Sequence, residues 1–388
     1  MNPPLTLKQQ NKVACVNKVS KNSFPFMKKT SLTLLAVLVS LQLFAQAPKY
    51  SNEFLSIGLG ARAQAMGGAH TGIVDDVTAA YWNPAGLVLK QGDLQLGLQH
   101  AELFAGISKY DYAGLAAQVD ATRTIGFSVI RLAVDDIIDS TDLIDANGNI
   151  DYNRLKSFSA ADMAFLFTYS KKTKIEGFRY GGNFKVIHRK VGDFASAWGF
   201  GLDAGFQYDK KKWKFGLMAK DITSTFNAWH FNTEEFDDVF AQTGNEIPAD
   251  GLEITLPKLI PGAGYLFNAG KKFTVLAELD ADITFDGMRN TLIKSNTMSI
   301  DPRFGIELGW DNFIFLRGGI NNIQQVSEID KSKTTVVQPN FGLGVKIKNV
   351  SIDYALTNLG SSAGIPYSNV FSLRFNINKR KQEVKTTN

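Results

Sequence analysis

Trp198-Gly199-Phe200-Gly201-Leu202-Asp203-Ala204-Gly205-Phe206-Gln207-Tyr208 alternates without a break: even positions carry aromatic, leucine or alanine side chains, odd positions glycine or a polar group. Successive side chains of a β-strand point to opposite faces, so this strand has one greasy face and one polar or bare face. The period recurs along the chain. Phe371, Leu373, Phe375 and Ile377 stand against Ser372, Arg374 and Asn376. Phe273, Val275, Ala277, Leu279, Ala281 and Ile283 stand against Thr274, Glu278, Asp280 and Asp282. Phe341, Leu343, Val345 and Ile347 repeat it, as do Ile352, Tyr354 and Leu356 against Ser351 and Asp353.

A soluble sandwich also alternates, so period two decides little alone. Length decides more: strands of about ten residues are what a tilted crossing of a bilayer needs. The pattern predicts strands at 93–101, 109–119, 122–134, 157–170, 176–189, 197–209, 212–222, 254–268, 272–284, 299–310, 313–321, 337–347, 350–357 and 368–377. Links after even strands are short and links after odd strands generally longer, above all 135–156 and 223–253. Short periplasmic turns alternating with longer outer loops is the arrangement of outer-membrane barrels. Trp213 and Trp310 then fall near the periplasmic rim and Trp198 near the outer rim. The expected fold is all-β: a transmembrane antiparallel β-barrel of about 14 strands over residues 92–378, placed in the outer membrane with lipid around it.

Upstream, Met27-Lys28-Lys29 and the apolar run Ser31–Val39 have the layout of a secretory signal. Residues 1–45 are read as that signal, with 1–26 an extension that has no place in it and Met27 as the true start. Those 45 residues hold six lysines and no acid, so the total of +5 leaves about −1 for the rest. The basic character belongs to the precursor and to a basic periplasmic tail at 379–388, and nucleic-acid binding is set aside. Cys15, the single cysteine, precedes the apolar run and does not suit a lipid anchor.

Between signal and strands lies Gly58–Leu87, GLGARAQAMGGAHTGIVDDVTAAYWNPAGL, crowded with small residues. Asp75 or Asp76 can cap a short helix over Val77–Trp82, and Pro84 forces Asn83 out of the helical region. The segment, through Gly67-Gly68, Asp75-Asp76 and Asn83-Pro84-Ala85-Gly86 in particular, resembles the N-terminal hatch of FadL-like outer-membrane barrels. More closely, it resembles the PorV/PorQ branch found with the type IX secretion machinery of Bacteroidetes. The resemblance implies that residues 46–91 form a hatch, or plug, inside the lumen. It also implies a non-enzymatic component of that machinery, with the translocon, a sortase and cargo C-terminal domains as partners. The alternative it allows is a FadL-like uptake channel whose partner is a hydrophobic small molecule.

The polar strand faces carry Lys185, Asp203, Lys214, Lys220, Glu278, Asp280, Asp282, Arg303, Glu307, Asp353 and Arg374. They are candidate lumen charges, expected to pair with one another and with Arg62 or Asp75, since buried charges need partners. Leu143–Asp151 lacks the Glu and Gly positions of a calcium loop, and Asn147-Gly148 between Ile144 and Ile150 reads as a hairpin turn. Asn227, Trp229, Phe231, Phe236 and Phe240 with Glu234, Glu235, Asp237 and Asp238 mark the longest loop as a partner contact or a cover for the mouth. His70, His100, His188 and His230 are scattered, with no catalytic or metal-ligand spacing. No catalytic residue, metal or cofactor is expected.

Overall fold

The first and last strands pair, Leu94 opposite Ile377 and Glu102 opposite Asn369, and this closes the sheet on itself. The computed structural model describes residues 51–141, 143–144, 148–232, 250–327, 333–358 and 367–378. The expected signal 1–45, the tail 379–388, Asp145–Asn147 and the loop residues Glu234 to Phe240 lie outside the described residues.

The strands are β1 (Leu94–Leu103), β2 (Ser108–Gln118), β3 (Arg123–Asp139), β4 (Lys156–Lys172), β5 (Phe178–Val191), β6 (Ala195–Lys210), β7 (Trp213–Lys220), β8 (Phe226–Phe231) and β9 (Gly251–Ile254). They continue with β10 (Lys258–Ala269), β11 (Phe273–Thr284), β12 (Ile293–Lys294), β13 (Ser299–Trp310), β14 (Ile314–Ser327), β15 (Lys333–Ile347), β16 (Val350–Thr357) and β17 (Ser368–Ile377). All described pairings are antiparallel. Fourteen of these strands form the wall. Closure leaves no edge to satisfy.

Three strands are additions to the expected set. β8 and β9 pair with each other, and β8 pairs with the outer part of β6, so the loop 223–253 begins and ends as sheet. β7 and β8 together serve as one wall strand interrupted at Asp221–Thr225, where the register against β6 shifts. β12 adds two residues to β13. These strands are too short to show a period. Ile144 and Ile150 form an isolated antiparallel bridge.

Burial follows the alternation with the sense inverted relative to a soluble protein. Phe206 (42% exposed) and Phe371 (55%) face outward, whereas Gln207 (1%) and Asn376 (7%) face in. Lipid takes the place of water outside, and every crossing backbone group is satisfied by a neighbouring strand. Among the described residues no helix is long and apolar enough to cross a membrane. The apolar cluster inside the wall is built from Phe54, Leu59, Val77, Tyr81, Trp82 and Leu87 against Tyr110, Tyr112, Ile130, Leu166 and Ile187.

Candidate functional site

Ser51–Gln91 contacts the inward faces of strands all around the sheet. It contains a 3₁₀ turn at Glu53–Ser56, helix α1 (Ala61–Ala65), helix α2 (Ala79–Trp82) and a 3₁₀ turn at Pro84–Leu89. Small residues permit backbone-on-backbone packing. A Cβ on Gly319 of β14 would lie 2.1 Å from the Met66 carbonyl carbon, and one on Gly67 2.7 Å from the Ile320 oxygen. Gly67 and Gly68 have φ of +66° and +76°, left-handed values that glycine adopts without strain.

The helix expected at Val77–Trp82 is a single turn at Ala79–Trp82, and neither Asp75 nor Asp76 caps it. Asp76 instead accepts from the Thr78 backbone N–H at 2.9 Å and the Thr78 hydroxyl at 2.5 Å, closing a local turn before the helix begins. Its second oxygen takes the Arg374 guanidinium of β17. Burial alone would raise this carboxyl, but Arg374, His70 and Thr78 hold it down at about 2. Asp75 pairs with Arg62 at 2.9 Å. Asn83 is extended, with φ of −166°. Its amide donates to the Thr71 carbonyl at 3.0 Å and the Phe206 carbonyl of β6 at 2.9 Å, and its side-chain oxygen accepts from Ala85 N–H. Pro84 lies against Gly181 and Gly205, Ala85 is fully buried, and Gly86 sits under the Val74 carbonyl.

Burial pushes the His70 imidazole down to about 4, with Arg62 acting the same way. The ring lies edge-on to Trp82 at 6.0 Å. Tyr81 donates to the Leu55 carbonyl at 2.7 Å and accepts from Gly58 N–H, while the Lys220 ammonium stands 3.8 Å from its ring centroid.

Eight of the candidate lumen charges fall into four groups. Asp203 holds Lys185 at 2.8 Å, and Lys185 also meets Asp221 at 2.5 Å. Glu307 receives Arg62 and Arg317, and Arg317 continues to Asp353 at 2.7 Å. Glu278 accepts from Gly72 N–H at 2.7 Å, and Asp280 accepts from His70 and Thr71 N–H at 2.9 Å each. Arg303 pairs with Asp282 at 2.6 Å. Two of the groups tie the wall to Ser51–Gln91. Arg317, which links Glu307 to Asp353, was overlooked in the sequence, although Leu316 beside it faces outward and so places Arg317 inward.

Two cavities flank Ser51–Gln91. The outer one is lined by Leu55, Tyr81, Leu166, Leu256, Pro257 and Phe285 together with Lys220, Lys258 and Arg289 and the acids Glu53, Asp203, Asp221 and Asp286. The periplasmic one, about 290 Å³, is lined by Arg62, Asp75, Glu307, Arg317, Lys346 and Arg374 among others. The wall between β13 and β14 is laddered only from Phe304–Ile320 to Trp310–Ile314. Above that level β14 pairs with β15 alone, through an irregularity between Asn321 and Gln324.

Neither a protein-family model nor a curated protein matches the chain. Solved structures do. The toluene transporter TodX of Pseudomonas putida superposes with a TM-score of 0.53 at 14% identity, covering 82% of this chain and 98% of that one. The CymD monoaromatic hydrocarbon channel gives 0.52 at 12%, covering 83% and 98%. The Ralstonia pickettii toluene transporter TbuX gives 0.51 at 13%, covering 82% and 98%. At such identities the likeness is one of fold.

Proposed function

We propose that this outer-membrane β-barrel is of the FadL type and passes hydrophobic small molecules across the outer membrane. The observation that carries the reading is the outer cavity, where apolar Leu55, Tyr81, Leu166, Leu256 and Phe285 meet Lys220 and Lys258, while Arg289 is held by Glu53 and Asp286 and Lys185 by Asp203 and Asp221. That lining suits a molecule with an apolar body and a polar or anionic head. The solved neighbours named above as toluene and monoaromatic hydrocarbon channels support it. Ser51–Gln91 acts as the hatch: its ion pairs with Glu307 and Arg374 hold it, and it must shift for passage. The hatch residues Gly67, Gly68, Asp75, Asp76, Asn83, Pro84, Ala85 and Gly86 serve this closure.

The test is direct binding by purified protein in detergent, read as quenching of tryptophan fluorescence by long-chain carboxylic acids and by toluene. Saturable binding of either supports uptake; no binding of either sinks it. A second reading, membership of the type IX secretion machinery, rests on the Gly58–Leu87 resemblance. Loss of cell-surface attachment of exported proteins on deletion of the gene, with uptake intact, would favour it instead.

A further inference from the structure

We infer that the outward face of β1–β3 is covered in the membrane by a second outer-membrane protein that offers basic side chains, rather than by lipid. On six other wall strands the outward residue six positions above the periplasmic end is apolar and exposed: Phe371, Phe341, Ile320, Phe304, Leu279 and Phe184. At the same height β1 and β2 present His100 and Asp111. These are cross-strand neighbours of each other, and Asp111 is the neighbour of Arg131 on β3. His100 Nδ1 lies 2.7 Å from Asp111, Arg131 Nη1 3.6 Å from it, and Lys109 Nζ 3.0 Å from Asp135. Glu102, also exposed, makes no ion pair among the described residues.

With a rise of about 3.3 Å per residue and a tilt of about 40°, His100 and Asp111 stand about 15 Å above the rim, within an apolar band about 25 Å tall. Charges facing acyl chains at that depth are unfavourable. Nor do they mark the water edge of the barrel, because the hairpin tip above them is apolar again: Phe104 is 42% and Ile107 68% exposed. An apolar layer, a charged layer and an apolar tip on one face suit a protein partner better than a bilayer. Charge selects its chemistry. Glu102, Asp111, Asp135 and the exposed Asp136 outnumber Lys109 and Arg131, so a lipid phosphate is repelled and arginine or lysine side chains are attracted.

The test places a photo-crosslinking amino acid at Phe104 and Ala113, with Phe341 on another wall strand as reference, in full-length protein in its native outer membrane. One discrete protein adduct is expected from the first two positions and none from the third. Glu102→Gln with Asp111→Asn should lower its yield by about tenfold or more, while Glu102→Asp with Asp111→Glu preserves it. Asp111→Lys should restore the adduct when a basic residue at the partner's crosslinked site is changed to Glu. Heat-modifiable gel migration checks that each variant is folded. Lipid adducts alone, an adduct of twice the chain's own mass, or an adduct indifferent to these charges would overturn the inference.

Discussion

Arg62 and Glu307 meet through a two-pronged contact: Nε donates to Oε2 at 2.9 Å and Nη2 to Oε1 at 3.0 Å. The two residues are 245 apart in the chain, one on α1 and one on β13. Both side chains are largely shielded from water, at 15% and 8% exposure. Paired guanidinium and carboxylate in this geometry fix position as well as charge.

Removing Arg62 leaves Asp75 without its ion-pair partner and Glu307 with Arg317 alone. Arg62→Met should loosen Ser51–Gln91 and cost up to about 3 kcal/mol. Limited proteolysis in detergent would then cut within the segment, and single-channel recordings in planar bilayers would show added conductance. Unchanged protease resistance together with a silent bilayer would contradict the role given to this contact.

Gly318 and Gly319 are sequence neighbours on opposite faces of β14. A Cβ at Gly319 strikes Met66 and Gly67, whereas one at Gly318 meets nothing closer than 3.9 Å. Gly319→Ala should destabilise by about 1–3 kcal/mol through overpacking, and Gly318→Ala should be neutral within about 0.5 kcal/mol. Midpoints of thermal unfolding for the two variants decide it, and equal midpoints would contradict the packing.

Lys258 donates to Ser56 Oγ at 3.3 Å in the outer cavity. If it also meets the head group of a ligand, Lys258→Gln should weaken binding of a long-chain carboxylate by about tenfold, as losing a charge-assisted hydrogen bond does. Toluene affinity should not change. Titrations of both ligands against both proteins make the comparison.

Acid should loosen Ser51–Gln91 through Asp76. Its carboxyl is held at about 2 against an unfolded value near 3.8. A depressed acid contributes stability that is present above the unfolded value and lost as pH falls through the folded one. The loss therefore runs from about pH 5 to about pH 2 and amounts to about 2 kcal/mol. Asp76→Asn should flatten that part of the profile in chemical unfolding measured across the window; an unchanged slope would reject it.

The wall was legible from residues alone. Period two at Trp198–Tyr208 and its repeats located all 14 wall strands, and the links at Lys210–Trp213 and Ile347–Val350 were short enough to dictate antiparallel hairpins. The outer ends were less legible. β3 extends to Asp139 and β15 begins at Lys333, beyond the expected ends, because above the membrane the outward face need not be apolar and the period fades. Asp76 was misread as a helix cap, since its nearest donors, Thr78 N–H and Oγ, compete for the same oxygen.

What the sequence by itself determined is which face of each strand meets lipid, because that depends on neighbours one and two residues away. What only the tertiary structure decided is who pairs with whom in the lumen: Arg62 with Glu307, Asp76 with Arg374, Arg317 between Glu307 and Asp353. These partners lie tens to hundreds of residues apart. Glu307 and Arg317 face each other across the β13–β14 hairpin. The partners in Ser51–Gln91 meet the wall because closure of β1 on β17 brings many strands around that segment, and barrel register, which no local pattern encodes, sets their heights.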